Sequence, residues 1–356
     1  MFPCICEKSG LRENRTMDMV RRLCVLTAQN VHLKNYPLNN PVAVFNPSML
    51  VEEEEVVIYA RIVLGYFTYS SAIAEIRMSL PEIYSSLTGH FTAEIKLFPN
   101  NKFDIWGAED PRAYRLRERK FITYCGRTVS YFNPAVRTER ALPITAVEGK
   151  DEVWKKSFLF RMPKRTRSMV ISDKDAFLAE IGEEIFFFHR LHMKDEKFYL
   201  VVSEVPDEIF EKSKKIAEEE EEKMLPEEVV VRNTKIVIEQ ENFEDKLGWA
   251  TPPLKINNKE YLLLIHAVDS EMQSYKVFAI LLNEKLEVTA ITPCYIMEPR
   301  EIYEIYGDRP YVVFPCGAEI VDGNLLISYG AADSAIGIGE IDLSELLSLL
   351  DSHRIE

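Results

Sequence analysis

The sequence has few cysteines and no closely spaced pair of the Cys-x-x-Cys type. Its six cysteines are scattered at positions 4, 6, 24, 125, 294 and 316. A structural zinc site needs clustered thiolate or imidazole ligands, so this pattern predicts no metal centre. Dispersed thiols are typical of a reducing compartment, and we therefore expect a cytoplasmic protein.

Long apolar runs and an excess of positive charge are also missing. The absence of any run of about 18 apolar residues predicts no membrane span, and residues 1–8 lack the apolar core of a signal peptide. The formal net charge is −14, whereas a nucleic-acid partner requires a basic face. We expect neither a membrane nor a nucleic-acid partner. A small basic pocket for one anion is still compatible with this charge.

What the chain does contain is 47% apolar residues, enough for a sizeable core, and a recurring strand-like run. Each run is β-branched or aromatic, about seven residues long, and ends in a small or polar group. The runs are 56–62, 120–126, 184–190, 261–267 and 325–331.

A polar or proline-marked start precedes each run. The five starts are Asn46-Pro47-Ser48, Glu109-Asp110-Pro111, Lys174-Asp175-Ala176, Thr251-Pro252-Pro253 and Cys316-Gly317-Ala318. Measured at Asn46, Asp110, Asp175, Pro252 and Gly317, the intervals are 64, 65, 77 and 65 residues. Such a period, with several strands in each repeat, is typical of a β-propeller. We predict an all-β, five-bladed β-propeller that brings Asn46, Asp110, Lys174 and Asp333 to one channel mouth.

The propeller domain is expected to span residues 41–345. An N-terminal segment, 1–40, would pack on it, and a C-terminal tail, 346–356, would follow it. The longer third interval predicts a helical insertion at about 206–228, which contains five consecutive glutamates and is expected to be a solvated surface helix. Residues 342–347 indicate a short C-terminal helix capped by Asp342 or Ser344.

The start around Asp110 has the composition expected for an acid catalyst. Two adjacent carboxylates lie between a glycine and a proline in Gly107-Ala108-Glu109-Asp110-Pro111. Pro111 lacks an N–H and biases Asp110 toward extended backbone, which would point its carboxyl group in a defined direction. The alternative is an ordinary turn in which Asp and Gly are only turn formers.

Taken in order, the motifs resemble glycoside hydrolase family 130, the β-mannoside phosphorylases and related mannosidases. The resemblance covers about residues 40–345. The motifs that carry it are Phe45-Asn46-Pro47-Ser48, Gly107-Ala108-Glu109-Asp110-Pro111-Arg112, Lys174-Asp175-Ala176, His189-Arg190, Pro252-Pro253, Ile265-His266-Ala267-Val268, Val313-Phe314-Pro315-Cys316-Gly317 and Tyr329-Gly330-Ala331-Ala332-Asp333.

The resemblance implies inverting phosphorolysis of a β-mannoside, of the mannooligosaccharide or mannosyl-glucose type, to α-mannose 1-phosphate and a shortened sugar. It assigns Asp110 as the single catalytic acid, protonating the glycosidic oxygen through the sugar's own 3-hydroxyl. An inverting displacement needs an acid on one face of the sugar and a nucleophile on the other. With phosphate as nucleophile, cations and hydrogen-bond donors replace the second carboxylate.

The resemblance also assigns the binding residues. Those for phosphate are Lys174, His189, Arg190, Lys156 and Tyr275; those for the mannoside are Asn46, Arg61, Asp333 and His266. Lys156 stands where the family has an arginine, and Arg137, Arg140 or a residue of 164–167 could serve instead. From the residues alone, Lys174 could be a turn lysine and His189 a packed strand histidine. Arg112 is expected to be structural, paired with Glu109 or another carboxylate.

Two other functions fit the same sequence. An inverting β-mannosidase would carry a carboxylate base, such as Glu183 or Glu184, where the phosphate site is expected. A propeller could also bind sugar or protein without catalysis. We expect no metal or organic cofactor, inorganic phosphate as co-substrate, and a β-mannoside oligosaccharide as the other partner; a homo-oligomer is compatible with the sequence.

Overall fold

Short strands make up most of the computed structural model, which describes residues 2–85, 89–220 and 225–355. The first twelve strands are β1 (Cys4–Cys6), β2 (Arg21–Thr27), β3 (Val31–Leu33), β4 (Ala43–Glu52), β5 (Glu55–Val63), β6 (Ser71–Ser79), β7 (Phe91–Leu97), β8 (Ala108–Leu116), β9 (Arg119–Arg127), β10 (Ala141–Glu148), β11 (Trp154–Arg161) and β12 (Val170–Ile181). The strands that follow are β13 (Glu184–Met193), β14 (Phe198–Glu204), β15 (Glu227–Val230), β16 (Arg232–Ile238), β17 (Glu244–Trp249), β18 (Leu254–Lys255), β19 (Glu260–Asp269), β20 (Tyr275–Asn283), β21 (Val288–Ile291), β22 (Val313–Val321), β23 (Asn324–Ala331) and β24 (Ala335–Asp342).

The helices are short and lie outside these strands. They are α1 (Leu80–Ile83), α2 (Lys164–Arg167), α3 (Ile209–Glu218), α4 (Ile302–Ile305) and α5 (Leu343–Asp351), with single 3-10 turns at Ala28–Asn30 and Lys150–Glu152. Helix α5 is capped by Asp342, whose carboxylate accepts hydrogen bonds from the backbone N–H groups of Ser344 and Glu345. This geometry satisfies two of the free donors at the helix N-terminus.

The strands form five sheets, which are the blades of a β-propeller. From the outer edge to the channel, the blades are β3-β7-β6-β5-β4, β15-β11-β10-β9-β8, β1-β16-β14-β13-β12, β21-β20-β19-β17 with β18 also on β19, and β2-β24-β23-β22. We number them blades 1 to 5 in this order. The fold predicted from the repeat is confirmed. Each strand-like run of the sequence is the strand next to the innermost strand of its blade.

The N-terminal segment contributes to three blades. Strands β1 and β3 pair in parallel with β16 and β7 at the outer edges of blades 3 and 1. Strand β2 pairs antiparallel with β24, so the beginning of the chain completes the last blade and closes the ring. Closure of this kind leaves no open face between the first and last blades.

The core lies in slices between adjacent blades. Fully buried aromatic residues such as Trp249, Phe177 and Phe187 belong to one cluster, which covers both faces of blade 3. A second slice, around Val44, Ile58 and Ile338, joins blades 5 and 1. Each blade therefore contributes both faces to the core, which explains why its strands read as nearly continuous apolar runs.

The predicted insertion contains helix α3 and strand β15. The helix is not solvated all round: Ile209, Phe210 and Ile216 are buried against the core. Strand β15 pairs in parallel with β11 as the outer strand of blade 2. Residues 221–224 of the insertion, and residues 1 and 356 of the terminal segments, lie outside the described residues.

One of the five predicted starts is misplaced. Thr251-Pro252-Pro253 lies between β17 and β18, and the innermost strand of blade 4 has already begun at Glu244. Pro252 and Pro253 line a cavity at the other end of the channel, together with Arg117. Proline marks the break between two short strands here, because it cannot donate to a β-ladder.

Candidate active site

The first three blades carry the same β-bulge in their innermost strands. The register shifts between Phe45 and Ser48, between Glu109 and Arg112, and between Lys174 and Phe177. A bulge leaves one residue unpaired and redirects its side chain. The bulged residues are Asn46, Asp110 and Asp175.

These three bulged residues have left-handed backbone. Their φ angles are 47°, 51° and 50° for Asn46, Asp110 and Asp175. Asn and Asp tolerate this region better than other residues with a Cβ. The extended backbone expected for Asp110 from the proline that follows is therefore wrong, because the bulge overrides that local preference.

The bulges open into one cleft at a mouth of the channel. Its volume is about 210 Å³. All five blades contribute to its lining. The lining residues are Asn46, Arg61, Glu109, Asp110, Arg127, Tyr131, Lys174, Asp175, Arg190, Lys246, Tyr275, Arg309, Val312, Phe314 and Asp333.

The cleft contains most of the residues singled out in the sequence. The structure brings together Asn46, Arg61, Asp110, Lys174, Arg190, Tyr275 and Asp333. Three others, Lys156, His189 and His266, are not among its lining residues. The predicted convergence on one mouth is what the propeller geometry produces.

Lys156 is held elsewhere. Its Nζ donates to the carbonyl oxygen of Phe98 at 2.5 Å and to the side chains of Asn100 and Asp104, each at 2.6 Å. An ammonium with three oxygen acceptors is a satisfied structural charge. The placement of Lys156 in a phosphate site is corrected.

His189 is fully buried behind the cleft. Its Nδ1 lies 2.9 Å from the carboxylate of Asp173, and its Nε2 lies 2.8 Å from Ser203 Oγ. Successive side chains of a strand point to opposite faces, so His189 and Arg190 cannot both face the channel. The packed-histidine alternative is the one that the structure supports.

His266 lies beneath the cleft. It is fully buried, and its Nε2 is 3.4 Å from Asp175 Oδ2. Burial lowers the pKa of His266 to about 4, although Asp175 acts in the opposite direction. This neutral imidazole supports the floor of the cleft and does not reach a ligand in it.

Asp110 is held through one of its two carboxylate oxygens. Asn46 Nδ2 donates to Oδ1 at 2.8 Å, and Arg61 Nη1 donates to the same oxygen at 3.1 Å. Across the described ranges 2–85, 89–220 and 225–355, no side chain hydrogen-bonds to Oδ2. The carboxyl group is thus oriented while one oxygen stays available to a ligand.

Glu109 is the buried counter-ion of its neighbours. Its Oε1 accepts hydrogen bonds from Arg61 at 2.9 Å, Arg127 at 2.9 Å and Tyr131 at 2.7 Å, and Lys174 lies 3.5 Å from Oε2. Burial by itself would raise the pKa of Glu109, but the surrounding cations hold it well below its usual range. A carboxylate so strongly ionised serves as a charge anchor and not as a proton donor.

Asp175 of blade 3 is likewise a buried counter-ion of its neighbours. Its Oδ2 accepts from Arg190 Nε at 2.5 Å, and Arg112 Nη2 lies 3.5 Å from Oδ1. Burial opposes ionisation, but Arg190 above all keeps the pKa of Asp175 well below its ordinary value. Arg112 is structural as expected, with Asp175 and backbone carbonyl groups as its partners and not Glu109.

Positive charge exceeds negative charge around the cleft. Among its described lining residues there are six basic side chains and four carboxylates. Two of those carboxylates, Glu109 and Asp175, are already committed to arginines. The cleft therefore suits an anionic ligand, although the whole chain carries a formal charge of −14.

Four polar or charged lining residues lie outside every motif and candidate named from the sequence: Arg127, Tyr131, Lys246 and Arg309. Arg127 lies two positions after Cys125 on β9, and Lys246 two positions before Gly248 on β17, so each shares a face of its strand with that residue. Strand alternation could have identified these two. Tyr131 and Arg309 come from loops, where no periodicity applies.

Comparison with known proteins agrees with the fold. Residues 10–352 match a glycoside hydrolase 130 family described as beta-1,4-mannooligosaccharide phosphorylase. The chain belongs to glycoside hydrolase family 130. The family resemblance read from the cleft motifs is confirmed.

Part of the chain is also similar in sequence to a curated mannoside phosphorylase. A beta-1,2-mannobiose phosphorylase from Thermoanaerobacter sp. (strain X514) is 39% identical over 99 residues, which are 27% of this chain and 32% of that protein. The chain thus spans about a third of the length of the curated relatives it first matches.

Solved structures extend the likeness to the whole fold. A beta-1,2-mannobiose phosphorylase from Listeria innocua, in complex with beta-1,2-mannobiose, has a TM-score of 0.67 at 18% identity and covers 94% of this chain and 97% of its own. A family 130 glycoside hydrolase that targets beta-1,2 mannosidic linkages in Candida mannan has a TM-score of 0.59 at 15% identity, covering 84% of each chain. At these identities the likeness establishes the fold shared with family 130.

No helix in the described parts of the chain is both long enough and apolar enough to cross a membrane.

Proposed function

We propose that this family 130 protein catalyses the inverting phosphorolysis of a β-mannoside. Inorganic phosphate would attack the anomeric carbon and release α-mannose 1-phosphate and a shortened sugar. The observation that carries the proposal is the division of one cleft into an oriented carboxyl group, Asp110, and a surplus of cations. An inverting phosphorylase needs an acid and an anion site together.

On the acid side, Asp110 would protonate the leaving oxygen through the 3-hydroxyl of the mannose. Asn46 and Arg61 fix the orientation of its carboxyl group by holding Oδ1. Oδ2 would then contact the sugar. Asn46, Arg61 and Asp333 would also bind mannose hydroxyl groups, because they line the same part of the cleft.

On the anion side, Lys174, Arg190 and Tyr275 would hold phosphate, joined by Lys246 and Arg309. Arginine presents a planar fork that matches phosphate oxygens, and lysine presents a point charge. Arg190 is fixed by Asp175. Its guanidinium is consequently positioned before any ligand arrives, which lowers the cost of ordering the site.

Hydrolysis by an inverting mannosidase is the competing function. The base suggested for it, Glu183 or Glu184, is exposed at the hairpin between β12 and β13 and does not line the cleft. Asp333 is the one lining carboxylate left for that role. Burial raises its pKa to about 6, Asp110 adding to the rise, and a base near that value could activate water.

The deciding experiment incubates the protein with β-1,2- and β-1,4-linked mannobiose, with and without phosphate. We expect α-mannose 1-phosphate, detected by phosphorus NMR, and turnover that saturates with phosphate. The Lys174→Ala variant should raise KM for phosphate more than KM for the mannoside. Lys276→Ala, whose lysine pairs with Asp269 and Glu298 outside the cleft, is the control. Release of free mannose at an undiminished rate without phosphate would establish the mannosidase.

This proposal needs no metal or organic cofactor, since phosphate is the co-substrate. The cytoplasmic location stays a prediction.

A further inference from the structure

Lys246 occupies an unusual position in the cleft. Its Nζ donates a hydrogen bond to Tyr275 Oη at 2.5 Å and lies 4.7 Å from the centre of that ring. The guanidinium of Arg309 lies 4.8 Å from the centre of the same ring. On the other side, Lys246 and Arg190 lie 5.6 and 5.4 Å from the ring of Phe198. The shared rings place Lys246 between two arginines.

Lys246 has no carboxylate partner to balance those arginines. In the described portion of the chain no Asp or Glu oxygen lies within 4.0 Å of its Nζ. Asp175, the carboxylate whose charge acts on Lys246, is already bound to Arg190 at 2.5 Å and approached by Arg112 at 3.5 Å. An ammonium group without a counter-ion between two guanidinium groups is unfavourable.

Burial and the neighbouring cations of Lys246 also disfavour its charged form. Burial first, and then the charge of Arg190, hold the pKa of Lys246 well below its ordinary value, against a weaker effect of Asp175. On its own strand Asp245 is turned to Gln273, which donates to it at 2.6 Å. The titratable and charged groups that face Lys246 from neighbouring elements are Lys174, Asp175, Arg190 and His192 of blade 3, Tyr275 of blade 4, and Arg309.

We propose that Lys246 is the proton acceptor that converts bound monoanionic phosphate into the dianionic nucleophile. The neutral amine takes the proton of H₂PO₄⁻: an O–H bond of phosphate breaks, an N–H bond forms on Nζ, and HPO₄²⁻ is left facing Lys246–NH₃⁺. The dianion is then the counter-ion that Lys246 lacks in the free protein. This inference rests on the proposed phosphorolysis and adds the proton step that precedes attack.

Proton uptake measured by calorimetry tests this step without turnover. Phosphate is titrated into the free protein in buffers of different ionisation enthalpy, which gives the number of protons exchanged with solution. At about pH 8.5 phosphate is a dianion in solution, because second phosphate pKa values lie near 6–7. Binding there should take up about one proton per phosphate. At about pH 5.5 the ligand brings its own proton, and the uptake should fall toward zero.

Two variants assign the proton to Lys246. Lys246→Arg keeps a cation that cannot lose its proton, so it should bind phosphate at the higher pH with no proton uptake. Lys246→Met should bind more weakly, also without uptake. Lys276→Met is the same substitution at a lysine outside the cleft and should leave the uptake at one proton. Melting curves of each variant show that the fold is retained, and Lys246→Arg serves if Lys246→Met does not fold.

The outcomes separate this inference from the proposed function. Phosphate binding and mannose 1-phosphate formation without proton uptake would overturn the role of Lys246 and leave phosphorolysis standing. Uptake that persists in Lys246→Arg would also overturn it. If the wild-type protein binds no phosphate, both the phosphorolysis and the proton step fail.

Discussion

Two aspartates at the same bulge position have different surroundings. Asp110 receives its contacts on one oxygen and faces the cleft, whereas Asp175 is enclosed by Arg190, Arg112 and His266. Backbone geometry alone does not distinguish them, since their φ angles are 51° and 50°. The number of cations in contact with each carboxylate distinguishes Asp110, the proposed acid, from Asp175, the charge anchor. Replacing each aspartate in turn gives a matched pair of variants.

Asp110→Asn should lower kcat by about 10²–10⁴-fold on substrates with poor leaving groups, the usual contribution of general acid catalysis. An activated aryl mannoside should lose less, because its leaving group needs little protonation. Asp175→Asn is the comparator: it frees Arg190 and should raise KM for phosphate and lower the melting temperature. Steady-state kinetics and thermal unfolding are measured on both. Full turnover by a folded Asp110→Asn protein would remove Asp110 from the mechanism.

The raised pKa of Asp333 makes a prediction about stability. Because burial first, and then Asp110, raise it to about 6, the folded protein binds this proton more tightly than the unfolded chain. The resulting stabilisation is complete below the unfolded pKa of about 3.9 and is lost as pH rises through about 6. Asp333→Asn should therefore flatten that part of the profile and stabilise the fold at neutral pH by about 1–3 kcal/mol. Urea unfolding at a series of pH values measures this. An unchanged slope between the two pKa values would show that folding does not raise the pKa of Asp333.

At the scale of elements, the repeat period was enough to predict the blades, and it was not enough to predict which side chains face the channel. His189 and Arg190 share a motif, but alternation along β13 turns His189 to the core. Lys156 was assigned because it stands where the family has an arginine, but it lies on β11 and contacts Asp104. Residues that are adjacent in a sequence motif can face different surroundings, because successive side chains of a strand point to opposite faces of the sheet.

The helical insertion shows an element that sequence composition misrepresents. Its glutamate run suggested a solvated helix, yet Phe210 and Ile216 are buried. Buried Lys155 donates from Nζ to the backbone carbonyl groups of Ile216, Ala217 and Glu219. These are orphan acceptors at the C-terminus of α3, where a cation is favourable. The insertion is thereby joined to blade 2.

Lys155→Met should destabilise the protein by about 1–3 kcal/mol, since buried carbonyl groups would lose their donor. Turnover per folded molecule should not change, because Lys155 does not line the cleft. Lys150→Met, which removes an exposed lysine just before β11, is the control and should be nearly neutral. Chemical denaturation with parallel activity assays compares the two. Equal stability of the two variants would mean that the helix end is not held by Lys155.

At the scale of the whole molecule, the active cleft depends on a closed ring. Asn46 and Asp333 come from blades 1 and 5, which adjoin where β22, β23 and β24 pack against β4. Gly330 fits there because a Cβ would lie 1.9 Å from Asn46 Oδ1. Strand β2 completes blade 5 from the other end of the chain. The cleft is thus sensitive to a strand that contributes no residue to it.

Removing residues 1–27 should open the ring and abolish both cooperative unfolding and activity. The deletion takes away β2 and the buried ion pair of Arg12 with Glu244, and it uncovers buried Ile336 and Ile338 on β24. Domain stability is only about 5–15 kcal/mol in total, so the loss of an entire strand is severe.

Removing residues 1–9 is the control, since it takes away the three-residue edge strand β1 but keeps β2 and Arg12. This shorter deletion should lower the melting temperature without loss of activity. A synthetic peptide of residues 10–30, added in trans, should pair with β24 and partly restore the activity of the protein that lacks residues 1–27. Thermal melts and turnover are measured for each, and a fully active, cooperatively folding protein that lacks residues 1–27 would show that ring closure does not shape the cleft.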